Sequence, residues 1–405
     1  MRFSAQDCAR IQADGYVIEA NPRGGMDDLL ITSHVLRCRH RTEPPTVFAQ
    51  GPGDEALNAV VDAVHWLQND PTMPKDTQVR VAVRRSLSVP NHADHVPDET
   101  VAALQRLAYM GLADLTGFDL YTGRVQFQPI PPQPDPVGDL RLATWHAQVQ
   151  QRSAWPLPVL AQAALGALAG RVPSFRWYRS VTGRAWSGRV AGWQVCTVAD
   201  GAQAFRWHTG GQGPKSTIAN ASTLSNQIIA FAKQRADPTT NPGKYKQEHL
   251  LESAVLRGAV PVHLAPGRPA LTPLVAMNQP PFQFPALFAA GGPARFVDAL
   301  VREDGYVAVA ELKVATSGEG QGYRHAITQA ALYRDFVRRA VVFHPWFASH
   351  GIDAQWCQGL VVFPRLRSPR AESIRASLKR TATFFDVRII ELDQGIDAIR
   401  HLAMA

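Results

Sequence analysis

The chain has 405 residues, too many for one ordinary domain and suited to two or three, and its 45% apolar and 19% charged content excludes wholesale disorder. The net charge of +8 is uneven: between Arg171 and Lys246 eleven basic residues face only Asp200 and Asp237, a local net of +9 that attracts polyanions. No apolar run suffices to cross a bilayer, the N-terminus lacks the apolar stretch of a secretory signal, and Cys8, Cys38, Cys196 and Cys357 form no C-x-x-C pair, so the expectation is a cytoplasmic protein with reduced thiols and no membrane partner.

Two proline-rich joints, Gln128 to Pro136 and Ala236 to Gly243, divide the chain into parts at 1–127, 137–236 and 241–405, and no stretch of sequence repeats another. In the first part, Glu55 to Leu67 sets Leu57, Val60, Val61, Val64 and Leu67 on one helical face. Gln78 to Arg84 alternates as a half-buried strand, and Asp98 to Leu112 reads as a second helix. This is a small α+β unit of unassigned role. The middle part starts with an apolar helix, Val159 to Leu168. It continues as a strand meander, Trp186 to Val198 and Ala202 to His208, turned by Asp200-Gly201, and closes with a helix over Thr223 to Arg235. Its Trp177, Trp186, Trp193 and Trp207 are interleaved with arginines, an arrangement that suits either base stacking or a core. Arg176, Arg179, Arg184, Arg189, Arg206 and Lys215 are its candidate phosphate contacts, with Arg324 further on.

The third part opens with a helix, Tyr245 to Leu256. Strands follow at Val260 to Leu264, Leu271 to Ala276, Ala294 to Val301 and Tyr306 to Val314, the last pair joined by Glu303-Asp304-Gly305. A helix (Arg324 to Arg339), a strand (Gly359 to Phe363), a helix (Arg370 to Arg380) and a strand (Phe385 to Leu392) complete it. The order α-β-β-β-α-β plus one further αβ unit predicts an α/β core with a mixed sheet, in a chain that is α+β as a whole.

The chemistry gathers on the strand Val307 to Val314. Side chains alternate along a strand, so Glu311 and Lys313 share the face of Val307 and Val309 and emerge where an apolar strand reaches a rim. Asp298 lies across the hairpin from Glu311. Two converging carboxylates repel each other and a divalent cation relieves the repulsion, with the Leu312 carbonyl within reach of the same ion.

Asp298 and Glu311-Leu312-Lys313 resemble the acid, gap, acid-x-lysine signature of the PD-(D/E)XK nuclease superfamily, with Val297 where the name-giving proline would stand. Gln329 and Tyr333, one helical turn apart, resemble the Q-x-x-x-Y motif of its RecB-like branch. The resemblance covers only the last 160 or so residues. It implies a restriction-endonuclease-like αβββαβ core that hydrolyses phosphodiester bonds with Mg²⁺ or Mn²⁺. Asp298, Glu311 and the Leu312 carbonyl would hold the ion, Glu248 or Glu252 on the first helix would complete its shell, and Lys313 would position water. Gln329 and Tyr333 would orient the lysine or its strand. DNA is favoured over RNA as substrate, restriction or anti-phage defence is the setting by analogy, and homo-oligomerisation stays open. The rival reading is a catalytically silent nuclease fold used for nucleic-acid binding or assembly.

Other motifs carry less. Gly210-Gly211-Gln212-Gly213-Pro214-Lys215-Ser216 lacks the glycine before lysine that a phosphate loop needs, since Pro214 has no amide hydrogen. His92-Ala93-Asp94-His95 and Cys38-Arg39-His40 have no second ligand pair at zinc spacing. The basic run from Arg365 to Arg380 suits a solvated helix face as well as a phosphate track.

Overall fold

A computed structural model of the chain describes residues 3–19, 35–50, 55–70, 72, 79–84, 107–108, 114–121, 124–130, 147, 156–179, 185–208, 216–236, 244–274, 285–289, 292–303, 305–314 and 321–404. The fold is α/β with mixed and antiparallel sheets, as the periodicities predict. Among the described residues no helix is long and apolar enough to cross a membrane. All four cysteines are buried and unlinked.

The N-terminal unit begins with α1 (Ala5–Ala13). Ser4 caps it, accepting the Asp7 amide hydrogen while the Asp7 carboxylate accepts that of Ser4. The chain then forms β1 (Val17–Ile18), β2 (Val35–Arg39), β3 (Thr46–Ala49), α2 (Glu55–Asn69), β4 (Arg80–Arg84), β5 (Asp114–Tyr121) and β6 (Arg124–Pro129), and the six strands lie in that order in one sheet. Alternation along β3 sends Phe48 into a core with Phe3, Cys8 and Ile11 under α1, and Val47 and Ala49 towards α2. The helix expected over Asp98 to Leu112 falls largely outside the described residues; residues 107–108 are helical.

The middle part is α3 (Val159–Leu168), then β7 (Phe175–Arg179), β8 (Ala185–Val190), β9 (Trp193–Ala199), β10 (Phe205–Trp207) and β11 (Ser216–Ile218), an antiparallel meander, and α4 (Ala221–Ala236). The tight turn between β8 and β9 takes positive φ at both Ala191 and Gly192.

The C-terminal unit runs α5 (Lys244–Leu256), β12 (Thr272–Pro273), β13 (Pro285–Ala289), β14 (Gly292–Phe296), β15 (Ala299–Glu303), β16 (Tyr306–Leu312), α6 (Gln321–Arg339), α7 (His344–Ser349), β17 (Gln358–Phe363), α8 (Ala371–Phe384), β18 (Val387–Glu391) and α9 (Ile396–Met404). Its main sheet has the order β12-β15-β16-β17-β18. Two expected strands differ. Ala294 to Val301 is two strands, broken at Val297-Asp298, where the chain leaves the β13–β14 hairpin for the main sheet. Val260 to Leu264 is a loop with one bridge, His263 to Ala270; Val260 and Val262 are buried because the loop lies against the core, which imitates strand alternation.

The two outer units share one pairing scheme. In the first, β1–β2 and β2–β3 are antiparallel and β3–β4 and β4–β5 parallel. In the last, β12–β15 and β15–β16 are antiparallel and β16–β17 and β17–β18 parallel. A helix precedes each sheet, α1 or α5, and a helix links the third and fourth strands, α2 or α6. The chain therefore contains the same topology twice, a repeat that leaves no trace in the sequence.

The copies meet through their helical layers, α2 against α6 and α8. Val60, Val61 and Val64 of α2 share one apolar core with Ala326, Ile327 and Ala330 of α6. Within that seam Asp62 takes Arg324 at 2.7 Å and His325 Nε2 at 3.3 Å. Burial alone would raise the Asp62 pKa, but Arg324 and His325 hold it well below the usual carboxylate range. His65 Nδ1 lies 3.1 Å from Ser377 Oγ and 3.2 Å from Thr381 Oγ1 on α8. Burial, helped by nearby Arg324, lowers the His65 pKa to about 3. A histidine depressed in the folded state contributes stability present above its unfolded value near 6.5, and that stability is lost as pH falls towards the folded value. Going from pH 7 to pH 5 should thus cost about 2 kcal/mol through this side chain, at ~1.4 kcal/mol per pH unit below 6.5. Urea unfolding at the two pH values checks it: His65→Gln should lose less stability than the parent, and equal losses would remove His65 as the cause.

Candidate active site

Glu311 lies at the C-terminal end of β16 and Lys313 one residue beyond it, where the strand runs beside β17. The Lys313 amide continues the ladder by donating to the Val362 carbonyl at 3.0 Å, so the backbone is held as the side chain leaves the sheet. Glu311 is 2% exposed. Lys313 Nζ lies 2.8 Å from Glu311 Oε1 and 3.8 Å from Glu248 Oε2 on α5. Asp298, at the break before β15, accepts the Leu312 amide hydrogen at 2.9 Å. One hydrogen bond thus fixes the first acid against the residue between the second acid and the lysine. The Asp298 pKa is raised well above normal by burial first, then by the charges of Glu311 and Glu252. Burial disfavours the Lys313 charge, yet Glu311, Asp298 and Glu248 outweigh it and raise its pKa above the ordinary lysine value.

Among the described residues no three His, Cys, Asp or Glu side chains form a ready-made metal cage. The strand end instead offers a carboxylate pair, a backbone carbonyl and two α5 glutamates one turn apart. These are all-oxygen donors, the set a hard divalent cation prefers, and the repulsion that raises Asp298 is what such a cation removes.

The structure thus brings together Asp298, Glu311, Leu312, Lys313, Glu248 and Glu252. Tyr333 is buried in the core that Val307 and Val309 of β16 share with α2, and Gln329 is half-buried one turn before it on α6. Arg324 points into the seam on Asp62, its side chain 14% exposed, which leaves little of it for a substrate.

The basic middle segment is more folded-in than its composition suggests. Trp177, Trp186, Trp193 and Trp207 are all buried in one core. Arg179 is 7% exposed, stacked 4.4 Å over Trp186, with its pKa lowered to about 10 by burial. Arg176 donates to the Pro173 and Phe175 carbonyls. Arg206 is exposed on β10, and Arg184 and Lys215 lie outside the described residues. Sequence reasoning missed one neighbour of the site. Tyr178 of β7 lies close to Glu252, and its pKa is pushed up to about 12 by burial and then by that charge. Arg189 of β8 sits 5.2 Å over the Tyr178 ring and is half-buried. No local pattern links residues 63 positions or more apart, so only the packing of the middle sheet on α5 reveals this.

No family model matches the chain, no characterised protein matches it in sequence, and no solved structure matches it in fold.

Proposed function

We propose that the chain is a metal-dependent nuclease of the PD-(D/E)XK type, hydrolysing phosphodiester bonds of nucleic acid, DNA foremost. One observation carries the reading: Asp298, locked to the Leu312 amide, meets Glu311 and Lys313 at the end of a strand that is otherwise apolar and buried. Asp298, Glu311 and the Leu312 carbonyl would hold Mg²⁺ or Mn²⁺, with Glu248 or Glu252 completing the shell. When bound, such an ion polarises the phosphoryl oxygen and makes water a better nucleophile. Lys313, held 2.8 Å from Glu311, would serve as a cation that donates hydrogen bonds to a phosphate oxygen. Water adds its oxygen to phosphorus, the ester P–O bond breaks, and the products are a phosphate monoester and an alcohol. Arg189 and Arg206 would meet phosphates beside the site, and Tyr178 borders it. A cytoplasmic role in restriction or anti-phage defence is the natural setting by analogy.

The test is incubation with supercoiled plasmid, linear duplex, single strands and RNA, each with Mg²⁺, Mn²⁺ or EDTA. Cleavage in metal and none in EDTA is expected. Binding without cleavage in either metal would replace the nuclease reading with that of a silent, nucleic-acid-binding fold.

A further inference from the structure

The two copies of the topology differ at the place where chemistry is proposed. In the C-terminal unit that strand end carries Asp298, Glu311 and Lys313. In the N-terminal unit, β3 ends in Ala49 and runs on as Gln50-Gly51-Pro52, with neither acid nor lysine. An internal cation stands there instead. Arg84, at the end of β4, donates to Gln50 Oε1 at 2.5 Å and pairs with Asp7 of α1 at 3.3 Å. Asp7 occupies the helix that corresponds to α5, where Glu248 and Glu252 stand. Among the described residues, the first strand end joins Arg84 to Asp7 and Gln50, whereas the second gathers Asp298, Glu311 and Glu248 about Lys313.

The copies are also locked to each other. The helical face of the C-terminal unit, α6 and α8, is covered by α2 of the same chain through the Asp62–Arg324 pair and the apolar seam. That face is closed to a second chain. Among the described residues, one polypeptide therefore presents a paired scaffold in which only the C-terminal strand end gathers two acids and a lysine. The scissile phosphates of the two strands of a duplex lie across grooves about 6–12 Å wide, so one centre cannot engage both at once.

Resting on the nuclease reading, we infer that the protein cuts one strand per encounter: it acts on duplex DNA as a nicking enzyme, with its N-terminal unit serving as an inactive second half. The experiment is a time course on supercoiled plasmid with limiting full-length protein and Mg²⁺ or Mn²⁺, alongside light scattering for mass. Open circles should accumulate before linear product, the rate should double when protein is doubled, and the mass should be that of one chain. Gln50→Ala should leave the nicking rate unchanged. Linear product formed from the outset, with a rate that quadruples on doubling the protein, overturns the single-site inference while leaving the nuclease reading intact. So does a folded Gln50→Ala variant that no longer cuts. Cleavage confined to single strands or RNA overturns the duplex assignment. No cleavage of any substrate removes the nuclease reading and this inference with it.

Discussion

Asp298→Asn is expected to slow cleavage by at least about a hundredfold, the scale lost when one preorganised charge-stabilising group is removed, while making the metal-free protein more stable. The two effects have one cause. Asparagine keeps the shape, and its carbonyl oxygen can still accept the Leu312 amide hydrogen that Asp298 accepts at 2.9 Å. It removes the charge that Glu311 and Glu252 oppose. Because the folded pKa of Asp298 is raised, the stability gained from its protonation is complete below the unfolded value near 3.9 and is lost as pH rises through the folded one. The metal-free parent thus carries a penalty at neutral pH that the variant escapes. Added Mg²⁺ should invert the order, because binding to the folded state stabilises by about 2.7 kcal/mol at a hundredfold excess over Kd, and the variant has lost a ligand. Thermal melts with EDTA and with Mg²⁺, run beside the cleavage assay, read both. A variant that cleaves like the parent, or equal stabilisation of both proteins by Mg²⁺, would remove Asp298 from the site.

Local patterns made the rigid elements legible. Val159–Leu168 has the bounds its apolar run predicts, and β16 follows from its alternation up to the Glu311-Leu312-Lys313 rim. Glu248 and Glu252, which only the family resemblance singled out, stand beside Lys313 and Asp298 respectively. Legibility stopped where a residue's meaning depends on a distant partner. Arg324 is a free cation in sequence and half of a buried pair in the fold, because Asp62 lies 262 positions away. The middle tryptophans and Arg179 form a core instead of an open stacking platform for the same reason. The duplicated topology is invisible because backbone pairing asks only that each strand be apolar on the correct faces. Thr46-Val47-Phe48-Ala49 and Val307-Ala308-Val309-Ala310 meet that demand with different residues.

A piece spanning residues 241–405, which the proline-rich joint at Ala236 to Gly243 marks as self-contained, is expected not to fold on its own, because the helices on both faces of the C-terminal sheet pack against the rest of the chain. On one face Leu250, Leu251 and Val255 of α5 and Leu360 and Val362 of β17 belong to the same core as Trp193, Val195 and Phe231 of the middle part. The contact is close: a side-chain carbon at Gly192 would lie 2.1 Å from the His249 carbonyl oxygen, so the β8–β9 turn sits directly on α5. On the other face, Ala326, Ile327, Ala330 and Tyr333 of α6 lose Val60, Val61, Val64 and Trp66, and Arg324 loses Asp62. Each large apolar side chain returned to water costs about 1.5–3 kcal/mol. Half a dozen such losses match the 5–15 kcal/mol that holds a typical domain folded. Near-UV circular dichroism and binding of a hydrophobic dye measure the outcome. The 241–405 piece should lack a near-UV signal and bind dye, whereas a piece spanning 156–405, which restores the α5 face, should recover part of the signal. A cooperative melt with full near-UV signal from 241–405 alone would mean that the shared cores are dispensable and that the joint is a true domain boundary.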